Sequence, residues 1–154
     1  MAVQGTGRDR ALEVLPADEC RRLLGTRQFG RIGLAGGHYP MVLPVNYVLD
    51  GDAIVIRTGS AKIIAAGGFA RVAFEVDDVD ERAHSGWSVL VHALAEEITG
   101  AERDELAARL RAADGIPWAP GERGHWIRLI PKAVTGRRIV PGQPPPAFEQ
   151  GAYL

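Results

Sequence analysis

The chain has 154 residues and a formal net charge of -1, with acidic and basic residues mixed along its length. This balance gives no electrostatic reason to expect a nucleic acid or a membrane surface as partner, and no apolar run approaches the ~18 residues of a membrane span. The only cysteine cannot form a disulfide within the chain, and the first residues lack the apolar core of a secretion signal. We therefore expect one cytoplasmic domain.

The two ends of the chain differ in composition from its body. Residues 1–11 and 141–154 are rich in Gly, Pro and polar residues and show no hydrophobic period. This composition predicts a flexible N-terminal arm and a Pro-rich C-terminal tail. Residues 12–140 carry the hydrophobic periods of a folded domain.

A helix is predicted in the segment LPADECRRLLG at the start of this body. Pro16 suits a first helical position, and the acidic residues that follow it suit the first turn of a helix. Cys20 shares one helix face with Leu23 and Leu24. We therefore expect the cysteine to be a small core residue.

After this helix the hydrophobic period changes to two, which is typical of strands. Six strand-like runs follow, namely FGRIGLA, PMVLPVNYVLD, AIVIRT, ARVAFEVD, GWSVLVHALAEEI and HWIRLIP. The fifth run is apolar on both faces, so we expect the core to cover one face and a second subunit to cover the other. Many strands and few helices predict a mainly β fold, a barrel or a sandwich.

Two helices are predicted between these strands. The first is short and begins at Ser60, which suits an N-cap. The second follows Thr99, where Thr99 and Glu102 form a T-x-x-E capping box. Leu106 and Leu110 then lie one turn apart on the face that we expect to be buried.

The segment AIVIRTGSAK is a candidate anion-binding site. A strand ends in Arg57 and Thr58, and a helix start follows with Ser60 and Lys62. Free backbone amides, two hydroxyls and two cations together suit a phosphate group. The alternative is an ordinary strand-to-helix turn with solvated basic residues, because R-T-G-S-x-K is not a Walker loop.

The strand PMVLPVNY is a second candidate. Pro44 cannot donate a hydrogen bond within a ladder, which predicts an edge strand or an irregular stretch. Main-chain groups of Leu43 or Val45 would then be free to contact the polar edge of a planar ring, and Asn46 adds a side-chain donor and acceptor. The alternative is an edge strand in which the proline only prevents aggregation.

Catalytic residues cannot be assigned from these patterns. No metal-ligand spacing relates the four histidines, and no G-x-S-x-G motif is present. His92 shares a strand face with Ser88 and Leu90, where it either faces a cavity or is a satisfied core or interface residue. We therefore predict neither a metal site nor a catalytic triad.

The order of these segments resembles the pyridoxamine 5'-phosphate oxidase-like family, especially its small actinobacterial and nitroimidazole-reductase-type members. The segments that carry the resemblance are LPADECRRLL, GRIGL, PMVLPVNYVLDGDAIVIRTGSAK, VAFEVDD, GWSVLVHALAEEI and PKAVTGRRI. The resemblance spans residues 12–139 and implies a split β-barrel of the FMN-binding type. It also implies a homodimer that holds the cofactor at the subunit interface.

The resemblance implies binding roles in three parts of the chain. The strand that lies along the isoalloxazine ring corresponds to Val42, Leu43, Pro44, Val45 and Asn46. The residues that bind the flavin phosphate correspond to Thr58, Ser60 and Lys62, with Arg57 nearby. Contacts to the ring or its side chain, in part from the partner, correspond to Trp87 and Ser88, with Trp126, Arg137 and Arg138 completing the pocket.

The function implied by the resemblance is an FMN-dependent oxidoreductase, a reductase of a small molecule. Two alternatives stay open: a reductase that uses a deazaflavin coenzyme on the same fold, and a non-catalytic module that binds flavin or haem. The ending VTGRRIVPGQPPP has no R-x-H pattern of the kind found in the vitamin-forming oxidases. Pyridoxamine phosphate is therefore not the expected substrate.

Overall fold

The structure is a computed structural model that describes residues 12–36, 38–112 and 124–140. The strands in these ranges are β1 (Leu12–Leu15), β2 (Phe29–Leu34), β3 (Met41–Asn46), β4 (Val48–Asp50), β5 (Ala53–Thr58), β6 (Gly68–Asp80), β7 (Ser85–Ile98) and β8 (His125–Ile139). The helices are α1 (Ala17–Leu24), α2 (Ala61–Ala66) and α3 (Gly100–Ala112). The predicted arm and tail lie outside the described residues.

All of these strands join one antiparallel sheet of order β3-β2-β6-β7-β8-β5-β4, and β1 pairs with β8. β5 pairs with the first part of β8, and β1 pairs with its last four residues. The sheet curls into a barrel. β3, at one end of the strand order, also contacts β5, which lies next to the other end. The predicted mainly β barrel with a few helices is confirmed.

Alternation along the central strands decides which face becomes the core. Val72, Phe74 and Val76 on β6 are buried, as predicted, and β7 places Val91 opposite Phe74 and Val89 opposite Val76. These side chains fill the inside of the barrel. α1 covers one end of it with Cys20, Leu23 and Leu24, and the predicted core role of Cys20 is confirmed by its exposed fraction of 0%.

The strand predicted over residues 40–50 is divided into β3 and β4 at Tyr47. The Tyr47 ring is buried edge-on against Phe74, with ring centroids 5.0 Å apart. Its hydroxyl donates a hydrogen bond to the Leu24 carbonyl over 2.6 Å. Burial raises the pKa of this phenol well above its usual range. A long-range contact with α1 therefore sets the break between the strands.

β8 does not end at Pro131, as the sequence predicts, but continues to Ile139. His92 pairs with Ala133 and Ala93 pairs with Pro131, so Lys132 is an extra residue in the β7–β8 ladder. Such a bulge accommodates a proline that cannot donate to the ladder. β1 is a further strand that the sequence does not predict, because four residues show no period.

The two later helices begin where the sequence predicts, but without the predicted side-chain caps. Ser60 precedes α2 and makes no capping hydrogen bond through its hydroxyl. The carboxylate of Glu102 accepts a hydrogen bond from Arg128 over 2.5 Å instead of closing a capping box with Thr99. α3 buries Leu106 and Leu110, as predicted, in a second apolar cluster. Of the helices in the described ranges, none is long and apolar enough to cross a membrane.

Candidate functional site

The turn between β5 and α2 brings two of the predicted hydroxyls together. Thr58 has an exposed fraction of 2% and lies on the same face of β5 as Ile54 and Ile56. Its hydroxyl accepts a hydrogen bond from the Ser60 amide over 3.0 Å. This bond fixes the backbone of the turn between Thr58 and Ser60.

The two predicted cations lie differently with respect to this turn. Lys62 is exposed in the first turn of α2 and makes no ion pair with any described residue. Arg57 directly precedes Thr58 on β5, so its side chain lies on the opposite face of the strand. Its guanidinium lies 5.9 Å from the centre of the Trp126 ring. Trp126 itself is buried in the apolar cluster of α3. Lys62 is therefore the cation available at the Thr58 turn, whereas Arg57 and Trp126 belong to the opposite face of β5.

His125 also lies at this turn, although the sequence does not point to it. It is directly opposite Thr58 in the β5–β8 ladder, and such paired residues share one face of a sheet. Its Nδ1 lies 2.6 Å from a carboxylate oxygen of Glu97. This contact orients the ring and leaves Nε2 to bind another group. No spacing rule finds this residue, because β5 and β8 are distant in the chain.

β3 is an edge strand, as predicted from Pro44. Its side chains alternate, so that Val42, Pro44 and Asn46 lie on the face opposite to that of Leu43 and Val45. Val42 is 68% exposed, whereas Val45 is buried. The side-chain amide of Asn46 donates a hydrogen bond of 3.5 Å to the backbone carbonyl of Gln28.

The free main-chain groups of β3 differ from those expected. The Tyr47 amide donates to the Gln28 carbonyl over 3.0 Å, in register with the β2–β3 ladder. Hydrogen-bonded and non-bonded pairs alternate in an antiparallel ladder, so Leu43 and Val45 direct their main-chain groups at β2. Val42 and Asn46 direct theirs to the free edge, and these two residues replace Leu43 and Val45 as main-chain candidates.

Trp87 and Ser88 lie near the start of β7, away from the Thr58 turn. Ser88 is exposed opposite Arg137, and Trp87 is half-buried opposite Arg138. Both residues line a groove of about 960 Å³. Apolar side chains that are more than one-third exposed also line this groove, namely Leu12, Val79 and Ile139.

An ion pair between α1 and β8 holds Arg138 beside Trp87. The Arg138 guanidinium donates to a Glu19 carboxylate oxygen over 2.6 Å, and Arg22 donates to the same carboxylate over 2.7 Å. The hydrogen bonds from Arg22 and Arg138 lower the pKa of Glu19 to about 2. Arg138 is thereby oriented by α1, whereas Arg137 is exposed in the groove.

One chain does not bring the two groups of predicted residues together. Thr58 pairs with His125, the first residue of β8, and Ser88 pairs with Arg137 near its other end. At roughly 3.3 Å per residue, these positions are about 40 Å apart along the strand. The two groups therefore lie at opposite ends of β8 in a single chain.

We call the face of the sheet that turns away from the core the outer face. One row of cross-strand neighbours on this face comprises Arg31, Glu75, Leu90 and Thr135. Arg31 donates to the carboxylates of Glu75 over 3.0 Å and Asp77 over 3.3 Å. Burial, and then the neighbouring Asp77, raise the pKa of Glu75, against the opposing effect of Arg31. Apolar side chains exposed on this face are Leu12, Val14, Val42, Val79, Leu90 and Ile139.

Within the described ranges, no three His, Cys, Asp or Glu side chains are grouped as metal ligands. His92 is exposed on the outer face and not buried in the core. The groups that the structure brings together are instead hydroxyls, amides and single cations. At the Thr58 turn, the ionisable side chains in contact with each other are His125 and Glu97.

Comparisons with known proteins identify the family. A family model described as pyridoxamine 5'-phosphate oxidase matches residues 16–138. The chain is 34% identical over 137 residues to the uncharacterized protein Rv0080 of Mycobacterium tuberculosis, and the match covers 85% of this chain and 88% of that protein. The chain therefore belongs to the pyridoxamine 5'-phosphate oxidase-like family, as the resemblance predicts.

Solved structures confirm the split-barrel fold. A Corynebacterium glutamicum protein, named as a candidate pyridoxamine 5'-phosphate oxidase, is 29% identical with a TM-score of 0.68, covering 86% of this chain and 97% of that chain. A FAD-binding protein of Mycobacterium smegmatis is 29% identical with a TM-score of 0.63, covering 84% of this chain and 100% of that chain.

Proposed function

We propose that the protein is a homodimeric flavoprotein that holds FMN between its two copies and acts as a reductase of a small molecule. The observation that carries this proposal is the separation of the Thr58 turn from Trp87 and Ser88 along β8. The family resemblance assigns Thr58 and Ser88 to one pocket, but in this chain they pair with opposite ends of β8. A second copy is the simplest source of the missing half.

The donors at the Thr58 turn fit a phosphate monoester. Thr58 and Ser60 supply hydroxyl groups, and Lys62 supplies an ammonium group that no described residue neutralises. When its ring is protonated, His125 also donates through Nε2 on the same face as Thr58, while Nδ1 contacts Glu97. Hydrogen bonds from charged donors to a phosphate are about twice as strong as neutral ones, so this turn favours a phosphorylated flavin over riboflavin.

The outer face supports the second copy. Leu90 lies at its centre and is 38% exposed in a single chain, and further apolar side chains extend to both edges of the sheet. Exposed apolar patches of this kind are typical of interaction surfaces. A partner that packs against the apolar side chains from Leu90 to Ile139 would bring its own Trp87 and Ser88 towards the flavin ring, next to the edge strand β3. It would leave uncovered the part of the outer face beyond Leu90, at His92 and Leu94.

When bound, FMN supplies the redox chemistry, and the protein residues bind it, orient it and exclude water. The free main-chain groups of Val42 and Asn46 would hold the polar edge of the flavin, and the partner's Trp87 would shield the flavin from solvent. The small-molecule substrate would bind in the groove that Trp87 lines.

Relatives in this fold support a flavin but do not choose its form, since the Mycobacterium smegmatis protein at 29% identity binds FAD. FMN is favoured here because Lys62 and the hydroxyls of Thr58 and Ser60 suit one phosphate. The test is to release the ligand from purified protein and to record its absorption spectrum and mass. FMN is the expected result. Finding FAD, the deazaflavin coenzyme, haem or no ligand would contradict the FMN assignment.

A further inference from the structure

A second set of basic side chains lies on the outer face, on three neighbouring strands. Arg71 of β6, His92 of β7 and Lys132 of β8 line one cavity of about 520 Å³. We call this cavity the basic groove. Its other walls are formed by Val72, Ala73, Ala93 and Leu94. Basic and apolar groups therefore meet in a space large enough for a small organic molecule.

The bulge in β8 sets the position of Lys132. Lys132 is the extra residue between Pro131, which pairs with Ala93, and Ala133, which pairs with His92. Lys132 and Ala133 are consecutive and both exposed, whereas a regular strand would alternate them between the two faces. The bulge thus adds a cation to a face that already carries Arg71 and His92.

The basic groove contains no carboxylate among its lining residues. The side chains of Arg71, His92 and Lys132 make no ion pair or hydrogen bond with any described residue. By contrast, Arg31, Arg128 and Arg138 each bind at least one carboxylate. Two permanent cations in one groove repel each other, and a bound anion would remove this repulsion.

We propose that the basic groove binds a small organic anion, in which a phosphate or carboxylate group is attached to an apolar body. The guanidinium of Arg71 and the ammonium of Lys132 bind the anionic group, and an imidazole N–H of His92 donates to it. Leu94 and the two alanines contact the apolar body. This site is separate from the Thr58 turn, because Thr58 lies on the core face of β5 and the basic groove lies on the outer face of β6 and β7.

The test uses phenyl phosphate as the probe and the purified protein saturated with FMN. Binding is followed by titration calorimetry at constant ionic strength and by the rise in unfolding temperature. We expect phenyl phosphate to bind more tightly than inorganic phosphate, and benzyl alcohol not to bind. Lys132→Ala and Arg71→Ala should each weaken phenyl phosphate binding by about tenfold or more, since each removes a charge-assisted hydrogen bond.

Two further variants make this test specific. Arg111→Ala removes an exposed cation from α3 and should leave phenyl phosphate binding unchanged. Lys62→Ala removes the only other lysine of the chain, which we place in the flavin site, and it serves only to detect probe that binds at the Thr58 turn. Lys132→Ala removes the repulsion between Lys132 and Arg71, so it should not lower the unfolding temperature in the absence of the probe.

Three results would overturn the proposal. Equal weakening by Arg111→Ala would show that only the overall charge matters. Loss of binding in Lys62→Ala but not in Lys132→Ala would assign the anion to the Thr58 turn. Unchanged phenyl phosphate binding, with a raised dimer dissociation constant in Lys132→Ala and Arg71→Ala, would assign the basic groove to carboxylates of a second copy of the chain.

Discussion

Thr58 and His125 face each other across the β5–β8 ladder, at the end of the barrel where α2 begins. The Ser60 amide binds the Thr58 hydroxyl from one side, and Glu97 orients the His125 ring from the other. A small region thus offers two hydroxyls, an imidazole nitrogen and the Lys62 ammonium. We infer that this region binds the flavin phosphate, and the following predictions start from it.

Lys62→Ala should weaken FMN binding by about one to two decades, because it removes a charge-assisted hydrogen bond to the phosphate. Riboflavin, which lacks the phosphate, should lose little affinity. Quenching of flavin fluorescence during titration measures both. Lys132→Ala is the matched control and should not change the ratio of the two affinities. Equal losses for FMN and riboflavin in Lys62→Ala would show that this lysine does not bind the phosphate.

His125→Gln should weaken FMN by about threefold to tenfold and riboflavin by less, since a neutral amide replaces the imidazole that faces Thr58. Glu97→Gln should act in the same direction through the orientation of the ring. The same fluorescence titration applies. If His125→Gln keeps the wild-type ratio of FMN to riboflavin affinity while Lys62→Ala lowers it, the phosphate assignment stands and His125 has no part in it.

Leu90→Asp should convert the dimer into folded monomers, because Leu90 is on the outer face and a buried carboxylate at an interface is unfavourable. Val89→Asp should instead unfold the chain, since Val89 has an exposed fraction of 0%. Sedimentation velocity and circular dichroism separate these outcomes. Ala108→Asp, on the exposed side of α3, is the control. A Leu90→Asp protein that stays dimeric would show that the outer face is not the interface.

Glu19 should give stability a dependence on acid pH. Its pKa in the folded protein is lowered to about 2 by Arg22 and Arg138, below the ordinary value of 4.5. A carboxyl with a lowered folded pKa contributes stability that is present above its unfolded pKa and is lost as the pH falls through the folded pKa. Glu19→Gln should therefore destabilise the protein at about pH 6 and have a smaller effect at about pH 3.

Urea unfolding of wild type and Glu19→Gln at several pH values checks this prediction. Asp18→Asn, at an exposed neighbouring position, serves as the control. A difference between wild type and Glu19→Gln that stays constant as the pH falls would contradict the stabilising role of the ion pairs of Glu19 with Arg22 and Arg138.

Local patterns were sufficient for most of the fold. β6 alternates strictly, so that the buried set of Val72, Phe74 and Val76 can be predicted from neighbouring residues alone. The break at Tyr47 depends on a hydrogen bond to α1, and the passage of β8 through Pro131 depends on a bulge opposite β7. Contacts of this kind join distant parts of the chain, and no local period reports them.

The candidate site divides in the same way. Thr58, Ser60 and Lys62 lie within one strand-to-helix turn, so their residue types predict an anion site directly from the sequence. His125 reaches this turn only through strand pairing, and the free main-chain groups of β3 depend on its register with β2. Only the family resemblance implies roles for Trp87 and Ser88. Their separation from Thr58 can be seen only once the pairing of β5 and β7 with β8 is known.

The central claim is that one site uses Lys62 of one chain and Trp87 of the other, and mixed dimers test it directly. Lys62→Ala and Trp87→Ala chains carrying different affinity tags are co-expressed, and the mixed dimers are purified and titrated with FMN. Each variant alone should bind FMN weakly at every site. The mixed dimer should regain one site of wild-type affinity, because one of its two sites combines an intact Lys62 with an intact Trp87. A mixed dimer in which both sites stay weak would show that Lys62 and Trp87 act within the same chain, and it would contradict the shared site.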